Sequence, residues 1–148
     1  MQEFPHRYVV TAAGPVDGDV GLTSPGVPPL ATAAPAEFGG PGDRWSPETL
    51  LVASVADCFV LTFRAVARAM KLQWDSLSCE AEGTLDRVER NTQFTAFAIK
   101  ATLTVLPGTD VDHAHRALEK AEHACLITNS LKAPVHLETK VLLAAGVS

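Results

Sequence analysis

The chain has 148 residues, 47% of them apolar and 20% charged, with twelve Lys/Arg against seventeen Asp/Glu and a formal net charge of −5. That length suits one domain, residues 1–148, with a real core of its own and is short for two. The acidic balance, without any run of basic residues, leaves no electrostatic footprint for nucleic acid or an anionic membrane, and three cysteines are too few and odd in number for a disulfide scaffold.

The first ten residues, MQEFPHRYVV, have neither the cationic start nor the apolar segment of a secretion signal, so a cytoplasmic protein is expected. Arg7–Ala13 reads as a strand, Val20–Leu22 as its partner through a turn near Pro15–Gly18, and Thr32–Phe38 as a third short strand. Fourteen of the twenty Gly and Pro residues fall between Gly14 and Pro47, too dense in breakers for a helix. A hairpin followed by a surface loop fits this stretch better than a linker, because nothing large lies ahead of it.

A long helix follows. Ser46 stands at the N-cap, Pro47 at the first helical position and Glu48 in the first turn, where the helix dipole favours an anion. From Leu50 the sequence LLVASVADCFVLTFRAVARAM is apolar on nearly every face. Such a helix is buried all round or covered by two partners. A second copy of the chain is the commonest cover, which predicts a homodimer with this helix near the two-fold axis. The strongly apolar part, Leu50–Phe63, is broken by Ser54, Asp57 and Thr62 and falls short of the ~20 residues that span a bilayer.

Next, Leu77–Asp86 alternates weakly and Phe97, Ile99, Ala101, Leu103 and Val105 alternate cleanly, a hairpin joined through RVERNTQ. After Pro107-Gly108, Thr109 or Asp110 caps a second helix with the stripe Val111, Ala114, Leu118, Ala121 and Cys125. A last strand, Val135–Leu142, follows Pro134. The order predicts an α+β fold, antiparallel sheets around a long central helix.

Chemistry points to sulfur. Cys58 lies in the middle of the apolar helix, Cys79 in a strand and Cys125 at the end of the second helix's stripe. Free cysteine commonly packs as a small hydrophobe, and Cys79 is read that way. No CxxC spacing is present, and His113, His115, His123 and Cys125 do not share one helix face, so neither a metal nor another cofactor is expected. A thiol turns reactive when a cation or a helix N-terminus stabilises its anion. Cys58 is too deep in its helix for the latter, and the nearest cation in sequence is Arg44, which Glu48 could orient. Glu48 and Cys58 are ten residues apart, about 15 Å at ~1.5 Å per residue. They meet only if a partner subunit supplies one of them. On these residues alone, packing and catalysis are equal readings of Cys58 and Cys125.

The segment SPETLLVASVADCF resembles the N-P-E-x-L-L-x-A-x-x-x-x-C-F helix start of the OsmC/Ohr family of thiol-dependent peroxidases. CLITNSL is similar to that family's second cysteine motif, and FGGPGDRWSPE to the Gly-rich run before its helix. The resemblance covers essentially the whole chain. It implies an intertwined homodimer with two active sites at the subunit interface. Cys58 would be the peroxidatic thiol, Cys125 the resolving one, and Glu48 the carboxylate that positions an arginine beside the thiolate. The implied substrates are organic hydroperoxides and the implied reductant an external, lipoyl-type dithiol, with Phe59 and Phe63 walling the alkyl tail. Three positions depart from the pattern. Where the Ohr branch has an arginine after an Asp-Gly turn, this chain has Val16-Asp17-Gly18-Asp19, leaving Arg44 or Arg7 to substitute; Ser46 replaces Asn, and Leu126 replaces Pro. The alternative is a catalytically weak dimer of the same fold that binds an apolar small molecule in the interfacial cavity.

Overall fold

The structure, a computed structural model, describes residues 2–145. It divides into two compact units, Met1–Leu51 and Val52–Ser148.

The first unit is built on a three-stranded antiparallel meander of β1 (Thr11–Ala13), β2 (Val20–Thr23) and β3 (Leu30–Thr32). Its register pairs Ala12 with Leu22 and Gly21 with Ala31. β1 is shorter than the Arg7–Ala13 expectation. The strand expected over Thr32–Phe38 is a correction: β3 stops at Thr32, and Ala36–Phe38 form a single 3-10 turn. Pro35 opens that turn, its carbonyl accepting from the Phe38 and Gly40 amides at 2.9 and 3.0 Å. A proline has no N–H with which to extend a ladder.

Beyond the turn the chain returns beside β3, where the Ala33 amide donates to the Trp45 carbonyl at 3.0 Å. The return depends on Gly40, because a Cβ there would land on the Ala34 carbonyl oxygen. Backbone cannot yield as a side-chain tip can. Gly40→Ala is therefore expected to cost about 2–4 kcal/mol in urea unfolding. Gly21→Ala is its control: the added Cβ meets only the Ala13 carbonyl, at 3.8 Å, and should change stability by less than about 1 kcal/mol.

Helix α1 (Pro47–Ala69) begins as the sequence predicts. Ser46 Oγ accepts from the Thr49 amide at 3.1 Å, and Thr49 Oγ1 accepts from the Ser46 amide at 2.9 Å. This reciprocal pair satisfies two backbone donors with Thr in the place of the more usual Glu. The buried residues of α1 are Val55, Phe59, Phe63 and Ala67, a stripe one residue wide at four-residue spacing. Leu61, off that stripe, is 51% exposed. Over its full 23 residues α1 is long and apolar enough to cross a membrane, which the Leu50–Phe63 segment alone does not suggest.

The second unit carries β4 (Trp74–Val88), β5 (Asn91–Val105), α2 (Val111–Ala124), α3 (Leu126–Asn129) and β6 (Val135–Leu143). β4 and β5 form an antiparallel hairpin turned by Glu89 and Arg90, whose φ angles of 49° and 74° are the positive values a two-residue hairpin turn requires. β6 corrects the antiparallel expectation, because it runs parallel to β5, Ala101 opposite Thr139. The cause is α2, which crosses over between the two strands and returns the chain to the end where β5 began. Asp110 caps α2, accepting from the amides of Asp112 and His113 at 3.0 and 3.4 Å.

The core of this unit lies on one face of the sheet. Phe97, Ile99, Ala101, Leu103 and Val105 of β5 are all buried, as their alternation predicts. Ala114, Ala117, Leu118 and Ala121 of α2 are buried too, while Val111 lies outside the stripe at 42% exposure. Phe63 of α1 meets Trp74 edge-on at 5.1 Å. Val52 crosses β4 at Gly83, where a Cβ would come within 2.8 Å of Val52 Cγ2. His113 Nε2–H donates to the Met70 carbonyl at 3.0 Å and so ties the start of α2 to the end of α1.

Candidate thiol site

Two breaks in regularity bring two sulfurs together. On α1, Cys58 precedes Phe59 of the buried stripe and so projects about 100° away from it, leaving the residue half-buried. At the other side, α2 ends and α3 begins at the same residue. Cys125, with φ −67° and ψ 109°, is the C-cap of one and the N-cap of the other, and it is fully buried. The new turn is fastened by the Asn129 amide to the Cys125 carbonyl at 3.0 Å and by Thr128 Oγ1–H to the same carbonyl at 3.1 Å. Cys125 there lies near enough to Cys58 for each to act on the other's ionisation, and both sulfurs are free thiols.

The two thiols are not equivalent. Burial, the largest single influence on Cys58, pushes its pKa up. The Ile127 amide, the Cys125 thiol, the Thr62 hydroxyl and the Leu126 amide all hydrogen-bond to the sulfur and together outweigh burial, so the net shift is downward. Thr62 Oγ1 lies 3.7 Å from the sulfur, one helical turn along α1. For Cys125 burial pushes up, and the neighbouring Cys58 adds to it, more than the Thr128 amide and hydroxyl offset. Cys58 thus ionises first, and Cys125 remains the thiol that donates to it. Cys79 is pushed up to about 11, by burial first and then by Cys125. At neutral pH it stays protonated, as its reading as a packing residue requires.

The remaining predicted residues take other places. Phe59 and Phe63 are 0% exposed and sit in the core with Val55 and Ala67, not on an accessible wall. Glu48 lies in the first turn of α1, its Oε1 buried and without a hydrogen-bond partner among the described residues. Arg44 Nε–H donates to Asp19 Oδ2 at 3.0 Å, and its Nη1 stands 3.7 Å from Asp43. Asp19 first, then Asp43, raise the guanidinium's pKa further. With Leu30, Ala31, Trp45 and Thr49, Arg44 lines an open cleft of about 520 Å³ in the first unit. Arg7 is exposed ahead of β1. No cation is among the described groups that act on Cys58. Sequence reasoning missed Thr62 and the Leu126 and Ile127 amides. The available signal was the four-residue spacing from Cys58 to Thr62, which on a helix makes neighbours.

A family model described as OsmC-like protein matches residues 40–140. The uncharacterized protein YmaD of Bacillus subtilis is 24% identical over 145 residues, covering 95% of this chain and 97% of its own. Peroxiredoxin OsmC of Escherichia coli is 28% identical over 93 residues, 63% of this chain and 64% of that protein. Among solved structures, an OsmC-like protein of unknown function from Vibrio cholerae superposes with a TM-score of 0.82 at 16% identity, over 91% of this chain and 99% of that one. An organic hydroperoxide resistance protein OsmC from Legionella pneumophila gives a TM-score of 0.74 at 27% identity, over 95% and 99%.

Proposed function

The chain belongs to the OsmC-like protein family, and on that footing we propose that it is a thiol-dependent peroxidase acting on organic hydroperoxides. One observation carries the reading: Cys58 and Cys125 are free thiols that act on each other's ionisation, Cys58 shifted down and Cys125 up. The Cys58 thiolate attacks the terminal peroxide oxygen, the O–O bond breaks, and the alkoxide leaves, taking a proton to become the alcohol. Cys58 is then a sulfenic acid. Cys125 attacks its sulfur, water leaves, and a Cys58–Cys125 disulfide remains. An external dithiol of the lipoyl type restores both thiols by exchange.

The working form in this reading is a cytoplasmic homodimer. Supporting it, the buried stripe of α1 is narrow while Leu61 stays exposed, so a second copy has apolar surface to cover. Glu48, whose Oε1 lacks a partner among the described residues, would meet the site of the other subunit, and Arg44 would supply the positive charge there. Phe59 and Phe63 would act from beneath, as packing that shapes the apolar surroundings of Cys58.

The second reading, a catalytically weak dimer that binds an apolar small molecule, is favoured by one observation, that the described groups acting on Cys58 include no cation. Turnover with cumene hydroperoxide and dihydrolipoamide separates the two. The peroxidase reading expects sustained consumption, faster than with hydrogen peroxide by about tenfold or more, since an apolar pocket rewards an alkyl tail. Consumption no faster than in buffer leaves the binding protein.

A further inference from the structure

The first unit carries an open cleft of about 520 Å³, the size of a small-molecule site. Leu30 and Ala31 of β3 line one side, Asp43, Arg44 and Trp45 of the returning chain line the other, and Thr49 completes it. The two sides are fastened by backbone. Trp45 forms a parallel bridge with Thr32, and its carbonyl accepts from the Ala33 amide at 3.0 Å. Trp45 itself is 49% exposed, a large aromatic left half open beside Leu30. It offers apolar area that a ligand can cover.

The polar groups say what kind of ligand. Arg44 is held from two directions: Nε–H donates to Asp19 Oδ2 at 3.0 Å, and Nη1 stands 3.7 Å from Asp43 Oδ2. Nη1 also donates to the Asp43 carbonyl at 3.3 Å. Two carboxylates against one guanidinium leave negative charge in excess, so an anion is not drawn to the cleft. Thr49 Oγ1 is spent on the Ser46 cap. The Arg44 Nη2 hydrogens and the Trp45 indole N–H have no hydrogen-bond partner among the described residues. The cleft thus combines apolar area and spare donors with no spare positive charge.

We propose that this cleft binds a small neutral molecule with an apolar body and a hydrogen-bond acceptor, of the class of an aryl ketone. The body lies against Trp45 and Leu30, and the acceptor takes the Nη2 hydrogens of Arg44, which the Asp19 pair holds in place. A carboxylate meets the same donors but brings a further negative charge toward Asp43. A hydrocarbon fills the cleft and leaves the donors unmet. The site is an addition to the thiol chemistry and does not rest on the peroxidase reading.

Three ligands that share one ring separate these cases: acetophenone, ethylbenzene and benzoate. The readout is the pair of indole N–H resonances in a proton–nitrogen correlation spectrum of the full chain, which has two tryptophans, Trp45 and Trp74. Acetophenone is expected to move the Trp45 resonance saturably and to leave Trp74 in place. Ethylbenzene should bind about fivefold more weakly, for want of an acceptor, and benzoate about tenfold more weakly. Arg44→Leu should bring acetophenone down to the level of ethylbenzene, and Asp43→Asn should tighten benzoate about threefold while leaving acetophenone within twofold. Benzoate or ethylbenzene binding as tightly as acetophenone overturns the proposal, as does a Trp45 resonance that drifts without saturating. Dispersion of the amide signals checks the fold, and should Arg44→Leu lose it, the three ligands on the parent chain and on Asp43→Asn decide. No peroxide is present in the titration. An empty cleft with intact cumene hydroperoxide turnover therefore refutes this site and spares the peroxidase, and a filled cleft without turnover does the reverse.

Discussion

Cys58→Ser is expected to lower hydroperoxide consumption by about a thousandfold or more, whereas Cys79→Ser leaves it within a factor of about two. The contrast follows from the state of each sulfur. A peroxidase needs an anion at the attacking atom, and a serine hydroxyl has none to offer near neutral pH. Cys58 has its pKa lowered, hydrogen bonding to the sulfur working against burial. Cys79, pushed up to about 11, presents only about one anion in ten thousand at pH 7. The sign of the pH dependence follows too. Because the Cys58 pKa is depressed, the rate should rise with pH and level off below the ordinary thiol range, where an unassisted cysteine would still be gaining. Initial rates of cumene hydroperoxide loss in the three proteins measure the effect.

Cys125→Ser should separate the two halves of the cycle. The first equivalent of hydroperoxide is expected to disappear at close to the parent rate, because a serine hydroxyl can donate to Cys58 as the thiol does. The second half then stalls. With no thiol at position 125, the Cys58 sulfenic acid persists, is trapped by dimedone, and passes to the sulfinic acid when peroxide is in excess. Steady turnover with dihydrolipoamide should fall about a hundredfold, since an external thiol must replace one held in the same chain near Cys58. A burst of one equivalent followed by near silence is the expected trace. A full steady rate would remove Cys125 from the mechanism.

Which features were legible in the residues has a physical pattern. Signals local in sequence were readable. Ser46-Pro47-Glu48 marks the start of α1, Asp110 caps α2, and the alternation from Phe97 to Val105 matches the buried face of β5. Direction was not readable in the same way. The strand at Val135–Leu143 alternates identically whether it runs with β5 or against it, and only the α2 crossover decides. Pro35 warned against a strand over Thr32–Phe38, but its neighbours are apolar enough to conceal the turn. Glu89 and Arg90 take positive φ without the Asn or Gly that usually announces it.

The site divides in the same manner. Cys58 and Cys125 lie 67 positions apart, and no spacing rule joins them; their pairing came from the resemblance of two motifs. Thr62 was read only as a polar interruption of an apolar run, though it is the i+4 neighbour of Cys58. The amides of Leu126 and Ile127 have no side-chain signature at all. Their influence on Cys58 arises where the chain breaks at Cys125 between α2 and α3. Phe59 and Phe63, proposed from the resemblance as walls for an alkyl tail, are fully buried on the core stripe of α1.

Peptide mass mapping of the reduced chain, after one equivalent of cumene hydroperoxide, bears most directly on the paired-thiol chemistry. The peptides carrying Cys58 and Cys125 should emerge joined, lighter by two hydrogens, with Cys79 still alkylatable. A Cys58 recovered unmodified while the oxidant is consumed, or joined to nothing after it is gone, would contradict the account.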